Sequence, residues 1–118
     1  MADRAPDPDC LFCRIASGEI AADRVLEDDR VIVFRDINPR APTHVLAIPR
    51  EHIASAAEVT EADGDLLAAL FGALKRVARE GGLSGYRIVT NVGPESGQSV
   101  FHLHLHLLGG RPMAWPPG

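Results

Sequence analysis

The sequence predicts a single α+β domain built on an antiparallel sheet. Three observations predict it. The chain has 118 residues, and domains cluster at about 100–150 residues, so there is room for one core. Strand-forming residues fall in blocks apart from the helical stretches, not in alternating βα units. The segment after Thr60 repeats apolar residues at a helical period, which gives one long helix.

In chain order, residues 1–8 carry Asp, Arg and Pro with little to bury and are expected to form a flexible tail. Residues 9–118 form the single domain. Asp9 is placed to cap a short helix over Cys10–Ser17 that stops at Gly18, with Leu11, Phe12 and Ile15 on one face. Arg24–Glu27 and Arg30–Asp36 read as a hairpin turning at Asp28-Asp29, since Val31, Ile32, Val33 and Phe34 are strand formers. Two prolines in Asn38–Pro42 break the next stretch into a loop. His44–Ile48 resumes as a strand that stops at Pro49.

Thr60 followed by Asp63 resembles a capping box. Leu67, Leu70, Leu74 and Val77, joined by Leu66, Phe71 and Ala78, form the helical stripe, and Gly81-Gly82 ends it. Tyr86–Thr90 and Val100–Leu108 are the last two of about five strands, separated by the polar loop Asn91–Ser99. The tail 109–118 has no regular pattern, yet it holds the only tryptophan, Trp115. So large an apolar ring is expected to dock on a surface.

Composition excludes several classes. Hydrophobic residues are 46% and charged residues 24%, the mix of a soluble globular protein. The formal net charge is −4, which argues against electrostatic binding of DNA or RNA. No apolar run approaches the roughly 18 residues of a membrane span. The acidic, proline-bearing start does not resemble a secretory signal, and a cytoplasmic location is expected. Two cysteines, Cys10 and Cys13, point to a metal, to redox chemistry or to inert thiols rather than to a disulfide framework.

The segment Phe101-His102-Leu103-His104-Leu105-His106-Leu107-Leu108 carries the clearest chemistry. On a strand it would put the three histidines on one face and the leucines on the other, with adjacent histidines about 7 Å apart. Two of them could meet on one metal, but all three could not. A neutral imidazole can instead attack phosphorus and form a covalent phosphohistidine, provided its second nitrogen holds a proton against an acceptor. Gly97-Gln98-Ser99 precedes the strand and suits such chemistry, because glycine lets backbone N–H groups approach an anion closely.

These residues resemble the signature of the histidine-triad (HIT) family, His-φ-His-φ-His-φ-φ with φ apolar. The resemblance runs from Cys10 to Gly118. It takes in Phe34–Pro39, Ala41–Pro49 and Gly97–Phe101, and the ending Leu108–Gly118 is similar to the Hint branch. It implies a HIT-like fold: a five-stranded antiparallel sheet with one long and one short helix per subunit, assembled as a homodimer. It also implies a purine nucleoside phosphoramidase that cleaves AMP amides or adenylated lysine through a nucleotidyl-histidine.

Residue by residue, the resemblance makes His104 the nucleophile and His106 the histidine on the phosphate. His44 would orient the nucleophile, and Ser99 would sit near the scissile bond. Asn91, Gly97 and Gln98 would contact the α-phosphate, and Asp36 the ribose hydroxyls. Leu11, Phe12, Ile15, Phe34 and Ile37 would form the base slot. No catalytic cofactor is implied. Zinc with a structural role is, on Cys10, Cys13, His52 and His102, since such a site needs four N/S ligands.

Three other readings of the sequence stand beside this one. The chain could be a nucleotide-binding interaction module with little turnover, another HIT nucleotide hydrolase acting on dinucleoside polyphosphates, or a zinc-stabilised scaffold.

Overall fold

The computed structural model describes residues 4–118. In chain order the elements are α1 (Leu11–Ala16), β1 (Arg24–Glu27), β2 (Val31–Arg35), β3 (Thr43–Pro49), α2 (Gly64–Glu80), β4 (Tyr86–Val89) and β5 (Leu105–Gly109). Short 3-10 turns lie at Ala56–Glu58, Glu61–Asp63 and Pro94–Ser96. The five strands form one sheet in the order β1-β2-β3-β5-β4, every neighbouring pair antiparallel. The expected sheet and its two helices are therefore present.

Local chemistry explains most of the boundaries. The Asp28 carboxylate accepts from the N–H groups of Arg30 and Val31, both at 2.8 Å, which closes the β1–β2 turn. Thr60 and Asp63 form the expected capping box. It closes the Glu61–Asp63 turn, from which α2 continues. Asp63 also accepts both terminal nitrogens of Arg4, at 2.6 and 2.9 Å. That pairing holds its carboxyl well below the ordinary carboxylate range. The Arg4 carbonyl accepts from the His52 N–H at 2.9 Å. Position 4 of the expected tail is thus bonded to the body of the domain, while residues 1–3 lie outside the described residues.

Two expectations need correction here. Asp9 does not cap α1. Its own N–H donates to the Asp7 carboxylate, and the N-cap is Cys10, whose sulfur accepts from the Cys13 N–H at 3.4 Å. Phe71 is 50% exposed and lies outside the buried stripe. It follows Leu70, and one residue of helix turns the side chain about 100° away from the sheet. Leu66, Leu70, Ala73, Leu74, Val77 and Ala78 are the residues α2 buries.

The sheet has two covered faces. On one, α2 packs with Val31, Val33, Val45, Ala47, Leu103, Leu105 and Leu107. On the other, α1 packs through Phe12 and Ile15 with Ile32, Phe34, Leu46 and Ile48. This is why Val31–Phe34 reads as a continuous apolar run: alternate residues serve opposite layers, and both are buried.

The last strand is shorter than expected. The run predicted over Val100–Leu108 is a strand only from Leu105. Pairing with β3 ends at Ala47 opposite Leu105, and two residues further along β3 stands Pro49, which has no N–H for a ladder. The chain leaves the sheet there, and Leu103 donates its N–H to the Ile53 carbonyl instead.

Candidate active site

Strand register places the first pair of histidines. Leu46 lies opposite His106 and His44 opposite Leu108, so His44 and His106 are diagonal neighbours on the face that α1 covers. His44 Nε2 is 3.0 Å from His106 Nδ1 and 3.4 Å from an Asp36 carboxylate oxygen. The Arg40 backbone N–H donates to His44 Nδ1 at 3.0 Å, so the neutral ring carries its proton on Nε2. That proton faces His106 Nδ1, which leaves the His106 proton on Nε2.

Burial keeps both rings neutral near pH 7. It lowers the His106 pKa to about 4, helped by His104 and His44 and opposed by Asp36. Burial also lowers that of His44, against the pull of Asp36. Asp36, His44 and His106 present ligand atoms within 4.8 Å of one another. A metal there would need the lone pair of His44 Nε2, and the Arg40 N–H has placed a proton on that atom. The group is a hydrogen-bonded relay.

His104 is oriented separately. Its Nδ1 lies 2.7 Å from the His102 carbonyl. A carbonyl only accepts, so Nδ1 bears the proton and Nε2 keeps a free lone pair. The ring is 5.1 Å from that of His106, and Phe12 meets it edge-on at 5.0 Å and 90°. The histidines do not line an open face, as a continuous strand would have required: His102 is 0% and His104 7% exposed. Because β5 begins only at Leu105, residues 102–104 follow a non-strand path beneath α1. His44 was expected to orient the nucleophile, yet it bonds to His106, and the His102 carbonyl holds His104.

His102 faces away, into a second cluster. The ligand atoms of Cys10, Cys13, His52 and His102 lie within 4.8 Å of one another. His102 Nδ1 is 3.4 Å from Cys10 Sγ and 3.5 Å from Cys13 Sγ, and His52 Nδ1 is 3.3 Å from Cys13 Sγ. Zinc with Zn–S of about 2.3 Å and Zn–N of about 2.0–2.1 Å sets tetrahedral ligands roughly 3.3–3.8 Å apart. The spacing fits. The protonation fits too: His102 Nε2–H donates to the Pro49 carbonyl at 2.8 Å, so the Nδ1 lone pair faces the sulfurs, the arrangement of a metal-binding histidine. Burial lowers the His102 pKa to about 4 and raises that of the Cys13 thiol.

The remaining expected residues divide into two groups. Leu11, Ile15, Phe34 and Ile37 line, with Asp36, a cavity of about 390 Å³. Phe12 is not among its lining residues and belongs against His104, which corrects its place in the base slot. A larger hollow of about 630 Å³ lies between residues 82–87 and 110–113 and includes none of the histidines.

In the polar loop, Gly97 has φ +101, a conformation that favours glycine, and the Asn91 amide stands beside it. Ser99 is exposed. Gln98 differs from expectation. Its amide nitrogen donates to the Ala54 and Val100 carbonyls at 2.8 and 3.1 Å, and its oxygen accepts from the Gly93 N–H at 2.8 Å. Its own backbone N–H donates to the Gly93 carbonyl. Gln98 is buried as a brace of the loop, with no donor left for a phosphate.

The sequence reading missed the Arg40 N–H and the carbonyls of Pro49 and His102. These main-chain groups set the histidine tautomers, and no side-chain motif marks them.

Comparison with known proteins gives the same grouping. Residues 9–114 match the family described as "Scavenger mRNA decapping enzyme C-term binding". A solved HIT family hydrolase from Legionella pneumophila is 54% identical, with a TM-score of 0.91 over 93% of this chain and 100% of that one. The "14 kDa zinc-binding protein" of Zea mays is 47% identical over 98% of this chain and 92% of its own length. "Adenylylsulfatase HINT1" of Arabidopsis thaliana is 45% identical over 100% of this chain and 82% of its own length.

Proposed function

From the premise that this chain belongs to the histidine-triad family, we propose that it is a nucleotide hydrolase acting through a nucleotidyl-His104 intermediate. Its preferred substrates are purine nucleoside phosphoramidates, such as AMP amides or adenylated lysine. The observation that carries this reading is the His104 ring, protonated at Nδ1 against the His102 carbonyl and bare at Nε2, beside the ring of His106. That is the state a nucleophilic imidazole requires.

In the first step His104 Nε2 forms a bond to the α-phosphorus, and the phosphorus–nitrogen bond breaks. The amine leaves as it takes up a proton, relayed from solvent across the exposed Ser99 hydroxyl. The His106 Nε2–H bonds the phosphoryl oxygens, while His44 and Asp36 hold the His106 ring. Water then cleaves the histidine–phosphorus bond, giving AMP and free His104.

The base enters the cavity of Leu11, Ile15, Phe34 and Ile37. Asp36 accepts the Asn38 N–H on one carboxylate oxygen and receives ribose hydroxyls on its remaining lone pairs. Asn91 and Gly97 approach the α-phosphate. Cys10, Cys13, His52 and His102 would hold zinc, which supplies a cross-link between α1, the segment after β3 and the triad. The relative from maize named as zinc-binding supports that assignment.

The reading includes a homodimer. β4 forms an edge of the sheet, Phe71 and Tyr86 are exposed, and Trp115 is 81% exposed in the single chain, touched by the Arg87 guanidinium at 6.0 Å from the ring centre. A second subunit would cover these groups.

The test is intact-mass analysis after brief incubation with adenosine 5′-phosphoramidate. A nucleotidyl adduct is expected on the wild type and none on His104→Ala, which has no other group to accept phosphorus. Adenosine 5′-phosphosulfate is run in parallel, since the Arabidopsis relative is named an adenylylsulfatase. Turnover of both compounds without any dependence on His104 would sink the mechanism.

A further inference from the structure

Phe12 connects the two clusters. It lies between Cys10 and Cys13 on α1, a helix of six residues whose first turn is closed by the Cys10 sulfur. Its ring is buried and meets three others edge-on: Phe34 at 5.5 Å, His102 at 6.0 Å and His104 at 5.0 Å. Edge-on aromatic contacts are directional, so the Phe12 ring limits how the His104 imidazole can tilt.

A second connection runs through His102. Its Nδ1 faces the Cys10 and Cys13 sulfurs, and its main-chain carbonyl accepts the His104 Nδ1 proton at 2.7 Å. One residue therefore serves the cysteine cluster with its side chain and the nucleophile with its backbone. The helix that carries both cysteines also carries the ring packed on that nucleophile.

We propose that the Cys10–Cys13–His52–His102 cluster is the positioning element of the nucleophile. Phe12 and the His102 peptide are the two contacts through which the cluster holds the His104 ring. The proposal rests on the reading of His104 as nucleophile only for its kinetic consequences. The orientation of the ring follows from the contacts alone.

With the cluster closed on a metal, α1 and residue 102 are tied to one point. The His104 Nδ1–H then stays on the carbonyl, and Nε2 stays in line for attack. With the cluster open, four side chains lose their common anchor, and the ring can turn off the carbonyl. Misplacing a reacting group by about 1 Å costs on the order of 10²-fold in rate. In Phe12→Ala the loss would fall on the nucleotidyl-transfer step and leave nucleotide affinity unchanged, because Leu11, Ile15, Phe34 and Ile37 line the base cavity without Phe12. Opening the cluster also frees Leu11 and Ile15 on α1 and would weaken binding as well.

The test uses the full chain in zinc-loaded and chelator-stripped forms, with metal content measured on each. At one fixed pH, ¹⁵N-histidine spectra read the His104 ring without turnover. A protected Nδ1–H signal is expected in the loaded form and its loss or exchange broadening in the stripped form. Single-turnover measurements at saturating substrate should show nucleotidylation slowed on the order of 10²-fold on stripping, beyond any change in AMP affinity. In the loaded form, Phe12→Ala should keep its zinc and its AMP affinity and lose rate at the same step. Phe12→Leu, which fills the space without an aromatic edge, should recover only part of that loss.

An identical His104 signal and equal rates in the loaded and stripped forms would overturn the proposal. Full activity of zinc-replete Phe12→Ala would overturn the Phe12 contact. A loaded wild type that forms no adduct would overturn the hydrolase reading, and the ring signal would still decide this one.

Discussion

The two faces of the sheet are built from alternate residues of the same strands, and they respond to different demands. The buried core of the α2 face is apolar: Leu66, Leu70, Leu74 and Val77 meet Val31, Val33, Val45 and Leu107. Many side chains there share one task, and any of similar volume would serve. The α1 face mixes Phe12, Ile15, Ile32 and Phe34 with buried histidines. There the orientation of each buried histidine rests on a hydrogen-bond partner, because an unpaired buried polar atom costs about 1–3 kcal/mol. The first face holds the domain together, and the second holds particular protons in place.

Single substitutions should separate the two roles. The largest effect on chemistry after loss of His104 itself is expected from His106→Ala, which on the proposed mechanism removes one donor to the phosphoryl oxygens. Such a loss commonly costs on the order of 10²–10³ in rate. The variant should be slow and still form the adduct. Leu70→Ala on the opposite face should lower stability by about 2–5 kcal/mol and leave kcat/KM of the surviving folded protein unchanged. Denaturation midpoints and initial rates on both variants check the pair. A Leu70→Ala protein that is stable but slow would mean that the two faces are not independent.

Acid should act on the α1 face first. The folded His106 has a pKa of about 4, against about 6.5 for a free histidine. Between those values the unfolded chain binds more protons than the folded one, so stability falls as pH falls through that window. Thermal melts of chelated protein at pH 7 and pH 4.5 are expected to show the drop, and His106→Gln should reduce it. The Arg4–Asp63 pair does not contribute there, because Asp63 stays ionised well below that range. An unchanged slope in His106→Gln would place the acid sensitivity elsewhere.

The smallest effect is expected outside both faces. Removing residues 112–118 takes away Trp115 but keeps Arg111, whose Nε–H holds the Arg40 carbonyl at 3.0 Å. AMP affinity should hold, while the ranking of phosphoramidates that differ only in their amine should shift by a few-fold, about 1 kcal/mol. Equal scaling of every substrate would show that the tail does not select the leaving group.

Features that depend on near neighbours were legible in the order of the residues. The helical stripe from Leu66 to Ala78, the turn at Asp28, the Thr60–Asp63 box and the stop at Gly18 are each decided within a few residues by spacing or side-chain reach. The leucines of the triad also went to the core, all three buried against α2. The tertiary structure decided where each histidine went. Period-two alternation holds only while the backbone stays extended, and β5 is extended only as far as β3 can pair with it. Pro49 marks that limit from more than fifty residues away in sequence. Beyond it, His102 turns toward Cys10 and Cys13, Phe12 packs on the His104 ring instead of the cavity expected for it, and Gln98 bonds inward. The tautomers follow from the Arg40 N–H and two carbonyls. Every residue but proline carries both groups, so only the path of the folded chain selects which of them meet a histidine.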